Sequence, residues 1–583
     1  MVKLNKGQYL SDVMREIPTN CILSKRIPGC GATTLELNTN HNSIIIVPNV
    51  PVINSKCQKY GNLFGVFEKV KVHNVVEYLN TNTQYKIMTT PESFPKVKKA
   101  CELCGINIYT DFFLLDDECH QLVKDVDYRG DIVLPMDDFF RFKRKALVSA
   151  TPIGFSDPRF KGFETIEVYA DYDYKQKIQV VHTYSIAKTV SEYLESHKNN
   201  KVCIFFNSVD GIYSLMNQLD ILDDATVYCA SKSCKNLKSE HGFTNAYDVW
   251  SADTMKQYNF FTGRFYTAFD LELDYKPDLL MISDPHIISN ELERYTLLDV
   301  NTDCIQICGR FRNGISSATH IYRTSEEIVA KTIEQLEWEI SAHEFAYQTL
   351  QTLYNSADSK KGRYAFGEAL ETMPFRKYLY PNLTKNWFAI DNAINDKLVE
   401  ARYKYRGQVK FWYNDCHYFI PTFEDKPYNK HDEKLRMVES ARSTKDKRRR
   451  MVQILSELED PESEYAMDFV NEIRKIDPTI VDAFELLGRE RIEELDYSDK
   501  KIKEEIILKQ RKGNKVVRLI KNSFSIGHAY TNDYITKELT RIFDMVHIHP
   551  EKPIKGSMIK DYFQTVDWRS KRSRGYRLVS PII

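Results

Sequence analysis

A glycine-containing loop near the N-terminus constrains the fold of this chain more than any other stretch. Residues 26–34 read Arg-Ile-Pro-Gly-Cys-Gly-Ala-Thr-Thr; they follow a short apolar run at 21–23 and lead into a sequence compatible with a helix. A strand, a glycine loop and a helix in this order form a loop whose backbone amides bind phosphate groups. The order therefore predicts a phosphate-binding loop here.

Short apolar runs that end in polar residues follow the loop. Runs without polar alternation are typical of strands buried in a parallel sheet. Strands that alternate with helical connections, and end in polar residues, predict a doubly wound α/β domain with a site along that edge. The runs of the first series are 43–48, 86–91, 112–115 and 146–148. A second series predicts a second sheet, with runs at 202–206, 225–229, 279–282 and 320–322.

Two carboxylates, Asp117 and Glu118, follow the third run of the first series. A carboxylate that faces a phosphate loop can hold the Mg²⁺ that bridges the β- and γ-phosphates, and Asp117 is placed for this role. Thr33 can supply a hydroxyl ligand to the same ion, and Glu118 can activate a water molecule as a general base. An isolated Asp-Glu pair is more often a solvated turn. The loop upstream and Ser-Ala-Thr at 149–151 favour a catalytic site.

Arg310 and Arg312 lie near the end of the second series, on a predicted short helix. Residues two apart point to different sides of a helix, so the two side chains do not form one surface patch. They are either solvated surface charges or they reach across a cleft to a developing phosphate charge, as an arginine finger does. Their position in a second α/β domain favours the second interpretation.

Four of these segments resemble motifs of superfamily 2 helicases, in the usual order. Motifs I, II, III and VI are matched by 29–33, 117–120, 149–151 and 306–312, and motifs Ib, IV and a divergent V by 89–91, 206–207 and 267–274. The resemblance covers roughly residues 1–325, and Asp-Glu-Cys-His is nearer to DEAH-like proteins than to strict DEAD-box RNA helicases. It implies two tandem RecA-like domains that bind ATP and Mg²⁺ between them, with a nucleic-acid strand in the groove across both domains.

The resemblance also implies roles for individual residues. Gln306 would sense the γ-phosphate and the attacking water, and Arg310 and Arg312 would stabilise transition-state charge. Coupling of the cleft to strand binding is implied for His120, Ser149 and Thr151. Contacts to the sugar-phosphate backbone, which need not read sequence, are implied for Asn49, Thr90, Asn207 and Thr267. The residues predicted to contact ATP are Lys25, Pro28, Gly29, Cys30, Gly31, Ala32, Thr33 and Thr34.

Ala32 departs from the motif, because it stands where the usual loop has the lysine that reaches the β- and γ-phosphates. Three explanations are open. Lys25 or Arg26 supplies the missing charge; or the backbone amides, Mg²⁺ and the arginines suffice; or the site is a relic that does not hydrolyse ATP. The full set of carboxylates, glutamine and arginines argues against a relic.

The remainder of the chain predicts a mostly helical C-terminal region. Aromatic and basic residues alternate over 373–425, where the rings either form a core or stack nucleic-acid bases. The basic run 571–577 resembles the hairpin of a winged-helix module, with a nucleic-acid role as a hypothesis. The predicted domains are 1–165 and 166–325 (RecA-like), 326–450 (helical accessory region) and 451–583 (helical, ending in the winged-helix-like module).

Composition limits the partners and the compartment. Lys+Arg and Asp+Glu both number 81, so a polyanion must be held by local basic patches instead of an overall field. No signal peptide and no apolar run of about 18 residues is present, and the cysteines lie in apolar segments. We therefore expect a reduced, cytoplasmic protein without a membrane partner. The divergent motifs and the compact multi-domain build favour a virus or mobile element of bacteria as its source, and hence a bacterial or phage-infected cell.

Three functions agree with the sequence. The first is an ATP-dependent helicase or translocase, with DNA favoured over RNA, in replication or a related DNA transaction. The second is a nucleotide-binding clamp or scaffold of a replication or packaging complex that has the same fold but little unwinding activity. The third, the motor subunit of a restriction-like system, lacks a convincing nuclease motif.

Overall fold

The chain divides into two compact units, Met1–Lys430 and His431–Ile583. A computed structural model describes residues 2–266, 270–285, 296–426, 438, 441, 443–456, 458, 470–471, 473–513, 515–545, 553–570 and 573–582. Within these residues no helix is long and apolar enough to cross a membrane.

The first sheet of the larger unit has eight strands, all parallel, in the order β1-β8-β2-β7-β6-β3-β5-β4. All residues of β3, β5 and β6 are buried, as the unbroken apolar runs predict. The strands are β1 Val2–Leu4, β2 Cys21–Ser24, β3 Ser43–Ile46, β4 Leu63–Val66, β5 Lys86–Thr89, β6 Phe113–Asp117, β7 Arg144–Ser149 and β8 Glu164–Ala170.

Helices cover both faces of this sheet. Alternate strand residues enter two separate apolar layers: Ile45 and Leu115 lie in one, and Ile44 and Leu114 in the other. The helices are α1 Leu10–Val13, α2 Ala32–Leu37, α3 Val50–Lys59, α4 Val72–Thr81, α5 Phe94–Leu103, α6 Ile108–Asp111, α7 Gln121–Lys124 and α8 Met136–Arg141.

The second sheet also has eight parallel strands, in the order β12-β11-β13-β10-β14-β15-β9-β16. Its strands are β9 Gln176–His182, β10 Val202–Phe205, β11 Ala225–Tyr228, β12 Ala246–Tyr247, β13 Tyr258–Phe261, β14 Asp278–Ser283, β15 Ser317–Tyr322 and β16 Phe419–Asp425. Its helices are α9 Ile186–Ser196, α10 Val209–Gln218, α11 Ser231–His241 and α12 Ile305–Gly309. The predicted α/β architecture, two tandem RecA-like domains, is confirmed.

The accessory segment after β15 returns to the second sheet. Its helices are α13 Ile333–Ser356, α14 Lys360–Thr372, α15 Trp387–Arg402 and α16 Arg406–Asp415, and β16 then pairs with β9 over seven residues. Most of the aromatic rings over 373–425 belong to cores. Phe375, Tyr378, Tyr403, Trp412 and Tyr413 are buried, so these five rings cannot stack bases.

The smaller unit is mostly helical and ends in a three-stranded antiparallel sheet of order β17-β19-β18. The sequence of residues 557–563 predicts an α-helix. The structure instead has a 3₁₀ helix, Gly556–Asp561, which is followed by β18. The strands are β17 Ala529–Thr531, β18 Phe563–Arg569 and β19 Arg574–Pro581. The helices are α17 Thr444–Ser456, α18 Pro478–Leu487, α19 Arg489–Glu494, α20 Asp499–Gly513, α21 Lys515–Ser523 and α22 Asn532–Met545.

Candidate nucleotide site between the two parallel sheets

The glycine loop connects β2 to α2 at the carboxyl edge of the first sheet. Gly29 and Gly31 have φ angles of 82° and 91°, in the left-handed region that favours glycine. Cys30 and Ala32 are buried, so their side chains pack into the core beneath the loop. Only the backbone of these two residues is therefore available to a ligand.

Lys25 directly precedes the loop, and its side chain is buried among carboxylates. Its Nζ lies 3.3 Å from Asp117 Oδ1 and 3.3 Å from Glu118 Oε1. Burial alone would lower the pKa of Lys25, but the two carboxylates outweigh it and raise this pKa above its ordinary value. The lysine is therefore a permanent positive charge at the end of β2.

Arg26 points elsewhere, although it is the next residue. Its φ of 54° turns the chain, and its Nη1 lies 3.2 Å from Glu167 Oε2. The guanidinium carbon also lies 5.0 Å from the centre of the Tyr169 ring. Of the two cations that could replace the missing lysine, only Lys25 is thus brought to the motif II carboxylates.

Thr33 and Asp117 form the predicted metal-binding pair. The Thr33 hydroxyl donates to Asp117 Oδ2 over 2.5 Å, so one hydroxyl and one carboxylate oxygen converge beside the loop. Magnesium prefers oxygen ligands and usually takes one or two from the protein, with water and substrate phosphates completing its shell. The donor set fits this ion.

Gln306 brings the second sheet into contact with the carboxylate of Glu118. Its Nε2 donates to Thr151 Oγ1 over 3.0 Å and to Glu118 Oε2 over 3.4 Å. Arg310 Nη2 donates in turn to Gln306 Oε1 over 2.9 Å. Arg310 is buried, which lowers its pKa, and it is not a solvated surface charge.

The positions of the two arginines differ from the expectation in one respect. Helix α12 ends at Gly309, so both arginines follow the helix instead of lying on it. Arg312 forms an ion pair with Asp270 over 2.7 Å, and a Cβ at Gly29 would lie 2.6 Å from Arg312 Nη1. Arg310 therefore faces the cleft beside Gln306, and Arg312 faces it beside Gly29 of the loop.

The predicted coupling residues form one hydrogen-bonded chain. His120 Nδ1 lies 2.8 Å from Ser149 Oγ, which also accepts a hydrogen bond from the Thr151 amide over 3.0 Å. Burial lowers the pKa of His120 to about 3, so its ring is neutral. Because Thr151 meets Gln306, the chain joins motif II to the second sheet.

The residues predicted to contact the nucleic-acid backbone lie at strand ends. Asn49 and Thr90 follow β3 and β5, which are neighbours in the first sheet. Thr90 is buried, and Asn207, after β10, accepts a hydrogen bond from the Gly263 amide over 2.7 Å. Thr267 lies outside the described residues.

Two contacts join segments that are distant in sequence and belong to none of the motifs. His417 Nε2 lies 3.1 Å from the carbonyl oxygen of Arg26, and Lys124 Nζ lies 2.9 Å from Asp303 Oδ2. Neither pair follows a local pattern. Lys124 does come shortly after motif II, and Asp303 shortly before Gln306.

The two tandem parallel sheets and the motif residues that meet between them have the form of one known fold. It is the fold of two tandem RecA-like domains. No family model matches the sequence, and no curated protein matches it.

Several solved structures are similar at low sequence identity. Mss116p bound to ssRNA and AMP-PNP is 10% identical, with 80% of this chain and 81% of that chain covered and a TM-score of 0.38. Dbp5 of S. cerevisiae bound to RNA and ADP BeF3 is 11% identical, with 66% and 90% covered and a TM-score of 0.34. T4 UvsW is 11% identical, with 71% and 74% covered and a TM-score of 0.20. Likenesses this distant carry no conclusion about activity.

Proposed function

We propose that this chain is an ATP-dependent helicase or translocase that acts on nucleic acid, with DNA favoured over RNA. One observation carries the proposal. Lys25, Asp117 and Glu118 of the first sheet converge with Gln306 and Arg310 of the second sheet in a single buried cluster. Positive and negative side chains from two domains meet in one cleft, as phosphoryl transfer requires. Because both domains contribute, binding and hydrolysis of ATP can close and open this cleft.

Lys25 takes the role of the lysine that Ala32 lacks. It is attached to the first residue of the loop, it is buried, and it stays charged because of its two carboxylate neighbours. Arg26 cannot replace it without giving up Glu167 and Tyr169. In this assignment Lys25 neutralises negative charge on the β- and γ-phosphates of ATP.

The other residues divide the remaining chemistry. Thr33 and Asp117 would hold Mg²⁺, which supplies charge stabilisation to the phosphates when bound. Glu118 accepts the proton of the attacking water, and Gln306, already in contact with Glu118, orients that water. Arg310 stabilises the charge that develops in the transition state, as does Arg312.

The groove for the strand runs along the carboxyl edges of the two sheets. Asn49 on one side and Asn207 on the other supply polar groups there, whereas Thr90, which is buried, and Thr267 are assigned to the same edge by their motifs alone. Contacts of this kind hold the backbone and carry no sequence information. A role in replication, alongside replication or packaging proteins, accords with this activity.

ATP hydrolysis by the full chain, measured with and without single-stranded DNA, duplex DNA and RNA, tests the proposal. Wild type should be stimulated by a strand, and Glu118→Gln and Lys25→Ala should each lose about 100-fold or more, the scale of a lost charge-stabilising or base group. Arg26→Ala is the matched control and should retain most activity.

Two results would contradict the proposal in different ways. No stimulation by any nucleic acid would exclude a motor, and ATP binding without turnover would favour the clamp or scaffold instead. Full activity of Lys25→Ala would show that Lys25 is not the replacement lysine.

A further inference from the structure

The hairpin of β18 and β19 carries three arginines without carboxylate partners. Arg569, Arg574 and Arg577 are exposed, and none forms an ion pair with a residue that the structure describes. The sequence adds Lys571 and Arg572 between the strands, and no acidic residue occurs from 569 to 577. The hairpin is therefore a local concentration of unneutralised positive charge in a chain of zero net charge.

The absence of partners is not general among the arginines of this unit, although Arg518 also has no ion pair with a residue that the structure describes. Six other arginines of the same unit form ion pairs with aspartate or glutamate, some of them through two nitrogens. They are Arg448, Arg449, Arg474, Arg489, Arg491 and Arg541. Arg448, for example, is buried between Asp477 and Asp499. These six arginines, all in helices of the unit, thus have internal partners.

The register of the hairpin places like charges opposite each other. Arg569 pairs directly with Arg574 across the two strands. Like charges directly opposite in an antiparallel pair destabilise the sheet. An anion bound at the tip would remove this repulsion, so the register itself favours an anionic partner.

The hairpin is held firmly enough to present these charges. Leu578 and Phe563 are fully or almost fully buried in the core of the unit, and β19 is the central strand between β17 and β18. A Cβ at Gly575 would lie 1.9 Å from the carbonyl oxygen of Tyr530, so β17 approaches the hairpin closely there. The base of the ribbon is therefore fixed, and Arg569, Arg574 and Arg577 are exposed on it.

We propose that this hairpin binds duplex DNA through the phosphate backbone. A two-stranded β-ribbon fits the major groove of B-form DNA, whereas the major groove of an A-form RNA helix is too narrow. Single strands are held mainly by stacking on exposed aromatic rings, and the nearest rings, Trp568 and Tyr576, are half-buried. The hairpin is thus a second nucleic-acid site, which lies in the smaller unit and is independent of ATP.

Duplex binding by the full chain, without nucleotide and over a series of NaCl concentrations, tests the inference. The hairpin variant replaces Arg569, Arg574 and Arg577 with alanine. The control replaces three paired, exposed arginines with alanine (Arg489, Arg491 and Arg541), which removes the same charge. Each phosphate contact adds about 0.9 to the slope of log affinity against log salt, so the hairpin variant should lose about two to three units of slope. The control should match wild type.

A lysine variant and two other ligands separate the effect of charge from an effect on folding, and duplex DNA from other anionic partners. An Arg→Lys variant at the same three hairpin positions should retain the wild-type slope, which would confirm that charge and not folding is responsible. An unchanged slope in the alanine variant would overturn the inference, as would an equal loss with a single-stranded oligonucleotide. Lost binding to phosphatidylserine vesicles with unchanged DNA binding would also overturn it. Because no ATP is present, an inactive ATPase would leave this result intact.

Discussion

His417 Nε2 lies 3.1 Å from the carbonyl oxygen of Arg26, across 391 residues of sequence. His417 lies two residues before β16, which belongs to the second sheet, whereas Arg26 begins the glycine loop of the first. Burial lowers the pKa of His417, so its neutral ring donates this hydrogen bond through Nε2–H. The bond supports the left-handed turn at Arg26 that follows directly after Lys25.

Replacement of His417 by alanine should therefore impair ATP turnover. A typical hydrogen bond contributes about 1 kcal/mol, which corresponds to a loss of about fivefold in kcat/KM for ATP. His417→Gln keeps a donor and should recover part of the loss. His73→Ala, an exposed histidine of α4, is the control. Equal rates for all four proteins would show that this contact does not position the loop.

Removal of the Thr33 hydroxyl should raise the Mg²⁺ concentration needed for ATP hydrolysis. Thr33 and Asp117 are oxygen donors beside the loop. Because Mg²⁺ has few protein ligands, the loss of one of them weakens its binding. Thr33→Val should shift the half-saturating Mg²⁺ by about tenfold, on the scale of 1.4 kcal/mol, and Thr33→Ser should not. A magnesium titration of the ATPase rate measures the shift, and identical curves for Val and Ser would contradict the metal assignment.

Loss of the Lys124 charge should destabilise the larger unit. Lys124 and Asp303 form a largely buried ion pair that joins the two parallel sheets. Removal of one partner from a buried pair leaves an uncompensated charge and costs about 3 kcal/mol. Lys124→Met should lower the free energy of unfolding by this amount in urea titrations. The double variant Lys124→Met/Asp303→Asn should recover part of it, and a double variant as unstable as the single one would argue against charge as the cause.

The free energy of unfolding should fall as the pH is lowered from about 6.5 towards 3. Burial lowers the pKa of His320 to about 3, against an ordinary value of 6.5. Between these values the unfolded chain binds a proton that the folded chain does not, so acid favours unfolding by about 1.4 kcal/mol per pH unit for each such histidine. Urea titrations at several pH values should show a shallower slope for His320→Gln, since His120 still contributes. Equal slopes would show that His320 titrates normally when folded.

Much of the fold follows from the sequence because parallel strands buried on both faces leave unbroken apolar runs. Such runs predicted the central strands of both sheets, including β3, β6, β10 and β14. Several edge strands left no such pattern. β1 and β12 have only three and two residues, and β16 contains a proline and alternates with exposed positions. Their place in a sheet depends on partners far away in sequence.

The site divides in the same way. The glycine loop, the carboxylates and the arginines are readable because each motif carries its own chemistry at fixed spacing. The sequence left Lys25 and Arg26 as equal candidates, since the two are adjacent. Only the turn at Arg26 sends one side chain to Asp117 and the other to Glu167. No local pattern specifies this choice.

The contact between Pro28 and Gly309 has a practical consequence. A Cβ added to Gly309 would lie 2.5 Å from Cβ of Pro28, so the loop and the end of α12 touch with no spare volume. The size of the side chain at position 309 therefore sets how closely the glycine loop and the end of α12 can approach each other. A series from glycine through alanine to valine would hold the loop and the end of α12 apart by increasing distances, and would thereby separate the groups of the two sheets that meet beside them.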